Sequence, residues 1–241
     1  MDPFFPILIF NARPAAGKSE IIHALKQLPE GERIERFHIG PLHVLDDFQM
    51  LWTWFEEDKL LEDEFQLPRL HTTPDGYFLR PEYWHLLVRR LSLEYDKWHR
   101  DLDEAHTAII EFSRGASHGG YSQAYPHLGQ TVLAQAASLY VQVSFAESLR
   151  KNRARYNPDR PDSILEHGLS DEKMEQLYRE DDWHAFSAAD PGYLLCAGQR
   201  IPYVTFDNED DLTTRAGEPL LARLEQAFGR LWELHRARPT V

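Results

Sequence analysis

Three consecutive residues, Gly17, Lys18 and Ser19, have the types needed to hold a phosphate chain. They close an eight-residue run, Ala12-Arg13-Pro14-Ala15-Ala16-Gly17-Lys18-Ser19, with the Walker A spacing and alanine in place of the first glycine. Small residues let successive backbone N–H groups curl around phosphate oxygens, and a following helix adds its positive end. In that arrangement the lysine reaches the terminal phosphates and the serine hydroxyl binds Mg²⁺. Such a loop requires a strand before it and a helix after it. Both are present in the pattern: the apolar run Phe5–Phe10 precedes, and Glu20, Ile21, Ile22 and Leu25 open a helical stretch.

A second group is Glu111, ending the apolar run Thr107–Phe112. An acid at the end of a buried parallel strand lies beside the phosphate loop, where it orients Mg²⁺ or accepts a proton. Ser113 and Arg114 follow, and an arginine there can grip a phosphoryl group with two hydrogen bonds. The glycines at 115, 119 and 120 suit either a close backbone approach to a ligand or a flexible loop. A third group is basic: Arg150, Lys151, Arg153, Arg155 and Arg160, in a chain whose formal net charge is −13. Its alternative reading is a solvated helix paired with acids such as Glu147 or Asp159. Asp46 and Asp47 are open to two readings, an acceptor-site base or a solvated turn. Trp52, Trp54 and Phe55 suit a pocket or a core.

Positioning these groups takes a sheet covered on both faces. Four apolar runs read as strands: Phe5–Phe10, Thr107–Phe112, Leu139–Phe145 and Ile201–Phe206, with a fifth at Ile34–Ile39. Leu87, Leu91, Tyr95, Trp98 and Leu102 recur at helical steps. Leu220 to Trp232 mark another helix, with Pro219 in its first turn. Ser170 followed by Asp171 and Glu172 caps a third. The alternation predicts a three-layer α/β/α domain with a parallel sheet of about five strands. The 241 residues form a single domain in this reading, with an acceptor-site insertion at 41–81 and a helical lid at 147–184.

Composition excludes several classes. The acidic balance disfavours nucleic acid and anionic membranes as partners. One cysteine, Cys196, forbids an intrachain disulfide and any Cys-based metal site. No apolar run approaches the ~20 residues of a membrane span, and the N-terminal run reads as a strand and not a leader. A cytoplasmic protein is expected; its oligomeric state is not readable. The histidines, twelve in all, fall into no ligand spacing.

The loop Ala-x-Pro-Ala-x-Gly-Lys-Ser resembles that of the P-loop kinases of small molecules, the superfamily that includes adenylate, thymidylate and deoxynucleoside kinases. The likeness covers the loop, the strand order and the place of a basic lid. It implies transfer of a phosphoryl group from Mg-ATP to a small-molecule acceptor. On that reading Ala12, Arg13, Pro14, Ala15, Ala16, Gly17, Lys18, Ser19 and Glu20 hold the nucleotide, with Asp207 and Asn208 near its base. Ser19 and Glu111 hold the metal, and Lys18, Glu111, Arg114, Arg150 and Arg153 act in catalysis. The rival expectation is a regulatory ATPase with no acceptor.

Overall fold

A computed structural model describes residues 3–101, 105–156, 159 and 168–239. In chain order the strands are β1 (Ile7–Ala12), β2 (Leu42–Asp46), β3 (Thr107–Phe112), β4 (Ala136–Gln142), β5 (Tyr193–Cys196) and β6 (Gln199–Asp207). The helices are α1 (Lys18–Gln27), α2 (Glu30–Phe37), α3 (Asp47–Asp63), α4 (Glu82–Arg100), α5 (Gly120–Ala124), α6 (Gly129–Gln135), α7 (Phe145–Arg155), α8 (Asp171–Tyr178), α9 (Trp183–Ser187), α10 (Leu212–Arg215) and α11 (Gly217–Arg236).

The sheet order is β2-β3-β1-β4-β6-β5, parallel except for β5, which pairs antiparallel with β6 at one edge. Alternation along the strands sorts side chains into two cores. Leu8 and Phe10 pack with Ile21, Leu25, Phe37 and the apolar stripe of α11. Ile7 and Ile9 face Val88, Leu91 and Tyr95 of α4, with Tyr121 and Trp183. Burial on both faces explains why β1 and β3 read as unbroken apolar runs. The expected three-layer α/β/α architecture is present. The sheet has a sixth strand because the Ala197–Gly198 turn, with both residues at positive φ, folds β5 back onto β6.

Two strand expectations change. Ile34–Ile39 is not a strand: residues to Phe37 lie in α2, whose acidic first turn and buried Arg33–Phe37 pair at a four-residue step favour a helix. The second strand is Leu42–Asp46, so segment 41–81 begins as part of the sheet, continues as α3 and ends in a connecting loop. The run Leu139–Phe145 shifts three residues earlier, because Ser144 caps α7 by accepting from the Glu147 amide. Segment 147–184 holds most of α7, all of α8 and the start of α9; Arg160, like Leu102, lies outside the described residues. Ser170 caps α8 as its sequence predicts, accepting from the Lys173 amide. Among the described residues no helix is long and apolar enough to cross a membrane.

Candidate functional site

The run from Ala12 to Ser19 leaves β1 and enters α1 at Lys18, so its glycine stands at the helix entrance. Gly17 has φ 116°, and a Cβ there would lie 2.6 Å from Thr213 Oγ1 and 2.8 Å from Asn208 Nδ2. Glycine is required on both counts. Ala15 also takes a left-handed conformation, φ 57°, where an alanine carries strain that glycine lacks.

Three alternate carbonyls of the loop are held from outside by side chains. Tyr121 Oη donates to Ala12 O (3.0 Å), Ser148 Oγ to Pro14 O (2.7 Å) and Asn208 Nδ2 to Ala16 O (2.8 Å). With those carbonyls fixed, α1 presents the amides of its first turn, which have no intrahelical partner, to the cleft above it.

That cleft has a volume of about 230 Å³ and is lined by the loop from Pro14 to Glu20, the strand ends of β2 and β3, and α3, α7 and α8 residues. Asp46 and Glu111 are partners in the β2–β3 register, so both acids stand at the same level at the carboxyl edge of the sheet. By alternation they share the face of Val44 and Ile109, the face that α1 covers. Lys18 Nζ lies 3.7 Å from Glu111 Oε1 and donates to Ser113 Oγ at 2.8 Å. Ser19 and Glu20 are exposed at the mouth.

The two acids carry unfavourable charge in this setting. Burial pushes the Asp46 carboxyl up to about 7, and the neighbouring Glu111 and Asp47 charges add to the effect. Burial also raises Glu111, against the pull of Lys18. A pair of carboxylates short of counter-charge, beside a serine hydroxyl and unpaired amides, fits a divalent cation held by one or two carboxylates plus phosphates, as Mg²⁺ prefers.

The remaining expected residues divide. Arg114 lines the cleft, but its guanidinium is already engaged. Nη1 contacts Asp47 Oδ2 at 2.7 Å and Ser113 O at 2.5 Å, and Nη2 donates to Trp84 O at 3.0 Å. Trp84 and Phe112 cover its faces at 5.2 and 5.3 Å. It positions Asp47 and the β3 exit. Arg150 pairs with Glu147 and Asp211, and Arg153 with Asp171; both arginines are exposed and off the cleft. Arg155 lines the cleft instead, and its charge bears on Glu111. The reason is helical register: Ser148, Asn152 and Arg155 follow four- and three-residue steps along the face of α7 over the loop, whereas Arg150 and Arg153 do not.

Asn208 is fully buried and donates to Ala16 O and Thr213 Oγ1 while accepting from the Thr213 amide. It braces the loop rather than meeting a base. Asp207 accepts from the Glu209 amide and lies outside the cleft. Arg13 points away too: it pairs with Asp181 at 2.7 Å and donates to the Val143, Tyr178 and Arg179 carbonyls. The loop is thereby tied to the exit of β4 and to the C-terminal end of segment 147–184. The glycines after β3 make their close approach to protein, since a Cβ on Gly115 would run into the Leu177 carbonyl at the end of α8.

A phosphate loop after the first strand, five parallel strands with the loop strand between β3 and β4, and an acid at the end of β3 settle the architecture. The chain has a three-layer α/β fold of the P-loop type. No family model and no curated protein matches the sequence. Solved structures similar over nearly the full chain include a gluconokinase from Sinorhizobium meliloti, 12% identical with a TM-score of 0.46 over 98% of this chain and 95% of that one. Another is TT1252 from Thermus thermophilus, 16% identical with a TM-score of 0.44 over 95% of this chain and 97% of that one. Likeness at this level says nothing about substrate or chemistry.

Proposed function

We propose that the protein is a Mg-ATP-dependent phosphotransferase acting on a hydroxyl group of a small molecule, in a reducing, cytoplasmic setting. The observation that carries the reading is the register pair Asp46–Glu111, facing Lys18 across the mouth of a phosphate loop.

The roles follow from position. The amides of Gly17, Lys18 and Ser19 hold the nucleotide phosphates, and Lys18 stabilises charge on the group in transit. Ser19 and Glu111 would hold Mg²⁺, whose chemistry there would be to neutralise phosphate charge and polarise the transferred phosphoryl. Asp46 stands on the far side of Glu111 from the β1 loop, where the acceptor enters. With its carboxyl near pH 7, it takes the proton from an acceptor hydroxyl as the oxygen attacks phosphorus. Arg155, at the end of α7, adds positive charge over the cleft when the lid closes, while Arg150 ties α7 to Asp211 and Arg153 joins α7 to α8 within the lid. A regulatory ATPase has no use for a base placed away from the phosphate loop, and Asp46 is the feature that separates the two readings.

The test is Asp46→Asn. Asparagine caps α3 as well as aspartate, so the fold is retained. Acceptor-dependent ADP production should fall about a hundredfold or more, with nucleotide affinity little changed. A variant with the wild-type rate removes Asp46 as base.

A further inference from the structure

We propose that the acceptor is a hydroxyl compound that carries no phosphate or carboxylate group of its own. The inference rests on the phosphotransferase reading and adds the acceptor's chemical class.

The acceptor side of the cleft is formed by the exits of β2 and β3, the first turns of α3, and Trp84 and Tyr178. A site for an anionic acceptor needs a cation with donors to spare. Among the described residues, the cations lining the cleft are Lys18 on the loop, Arg155 on the lid and Arg114. Of these, Arg114 alone belongs to the acceptor side, and it is 2% exposed. Both of its terminal nitrogens already donate, to Asp47, Ser113 O and Trp84 O. Nε has no hydrogen-bond partner but is itself buried, and indole and phenyl rings lie over the guanidinium, so the edge that would grip a phosphate or carboxylate is enclosed by protein.

The surrounding charge points the same way. Glu20, Asp46, Asp47 and Glu111 line the cleft, four carboxylates against three cations, before the nucleotide adds its own negative charge. Two of these carboxylates, Asp46 and Asp47, stand on the acceptor side itself. Asp47 is matched by Arg114, so the acceptor side carries no spare positive charge, and an anionic group placed there meets Asp46 and the neighbouring Glu111 in a partly buried setting, where repulsion is far stronger than in water. Phe48, Leu51, Trp84, Leu169 and Tyr178 offer apolar contact, and Gln49 a neutral donor and acceptor. This lining suits a molecule with hydroxyls and an apolar ring or chain face.

The experiment measures ADP production by the full chain with Mg-ATP, using matched pairs: thymidine and its monophosphate, glucose and gluconate, glycerol and glycerate. The Lys18→Ala protein supplies the background. The expected result is a Lys18-dependent rate with an uncharged member, at least about tenfold above that with its anionic counterpart. In Asp47→Asn, which removes one like charge and loosens the hold on Arg114, that ratio should shrink. A faster rate with the anionic members, or a ratio unchanged in Asp47→Asn, overturns the inference and leaves the phosphotransferase standing. A panel with no Lys18-dependent transfer to any member overturns both.

Discussion

In the proposed reaction Asp46 is the side chain on which most depends. It caps α3 through the Phe48 amide at 2.9 Å, and burial together with Glu111 and Asp47 holds its carboxyl up near pH 7. A base with that value gives a kcat/KM for acceptor that rises with pH through about 7 and then levels off. Asp46→Asn should abolish that rise along with most of the rate, which a pH–rate profile of both proteins will show. At Gly17, alanine should abolish nucleotide binding, because the added methyl meets Thr213 and Asn208 and the backbone is left-handed; calorimetric titration with ATP checks this. The position of Lys18 at the start of α1, beside the end of β3, was legible from spacing alone, since the motif sets a strand before it and a helix after it. For Asp46 the sequence left a base and a solvated turn both open, because an Asp-Asp pair before a polar-aromatic stretch looks the same whether it closes a strand or a turn; it closes β2 and caps α3.

Secondary elements decide which of several similar residues reach the site. On α7, Ser148, Asn152 and Arg155 share the face over the loop, and Arg150 and Arg153 do not. Arg155→Ala should therefore lower kcat by at least about tenfold, while Arg153→Ala leaves it within a factor of two or so; steady-state rates with saturating ATP distinguish them. The sequence displays the basic cluster but not its helical phase, which depends on where Ser144 starts the helix. Segment 41–81 has its own anchor. Asp58 is fully buried and accepts from the amides of Leu70, His71 and Thr72 and from the Thr72 hydroxyl. Burial opposes its charge, but those four donors outweigh it and hold the carboxyl below its usual range. Asp58→Ala leaves three amides without their acceptor and should cost about 3 kcal/mol or more in urea unfolding. No sequence periodicity signals this contact, which spans a loop of irregular structure.

For the whole molecule, the braces on the phosphate loop come from distant parts of the chain: Tyr121, Ser148, Asp181 and Asn208. The loop's shape is thus a property of the assembled domain, whereas its identity is local, which is why the motif was readable and its supports were not. The three-layer plan was readable for the same reason: strands buried on both faces must be apolar throughout, and β1 and β3 are. The edge strand β2 is only half buried along its length and gave no such run. The acid pair also links folding to pH. In the folded chain Asp46 is raised from 3.8 to about 7, so protonation favours the native state. That contribution is fully present below about pH 4 and is lost as pH rises through about 7. Asp46→Asn should melt higher than the wild type at pH 8 without Mg²⁺, and the gap should close toward pH 4. Thermal melts across that range provide the check.

The most direct measurement is phosphorus NMR of the reaction with Mg-ATP and an uncharged hydroxyl acceptor, run beside Lys18→Ala and Asp46→Asn. A new phosphate-ester resonance that grows with ADP, and is lost in both variants, is the predicted result. Stoichiometric release of inorganic phosphate with no ester, unaffected by Asp46→Asn, would contradict phosphoryl transfer and leave a nucleotide-hydrolysing switch.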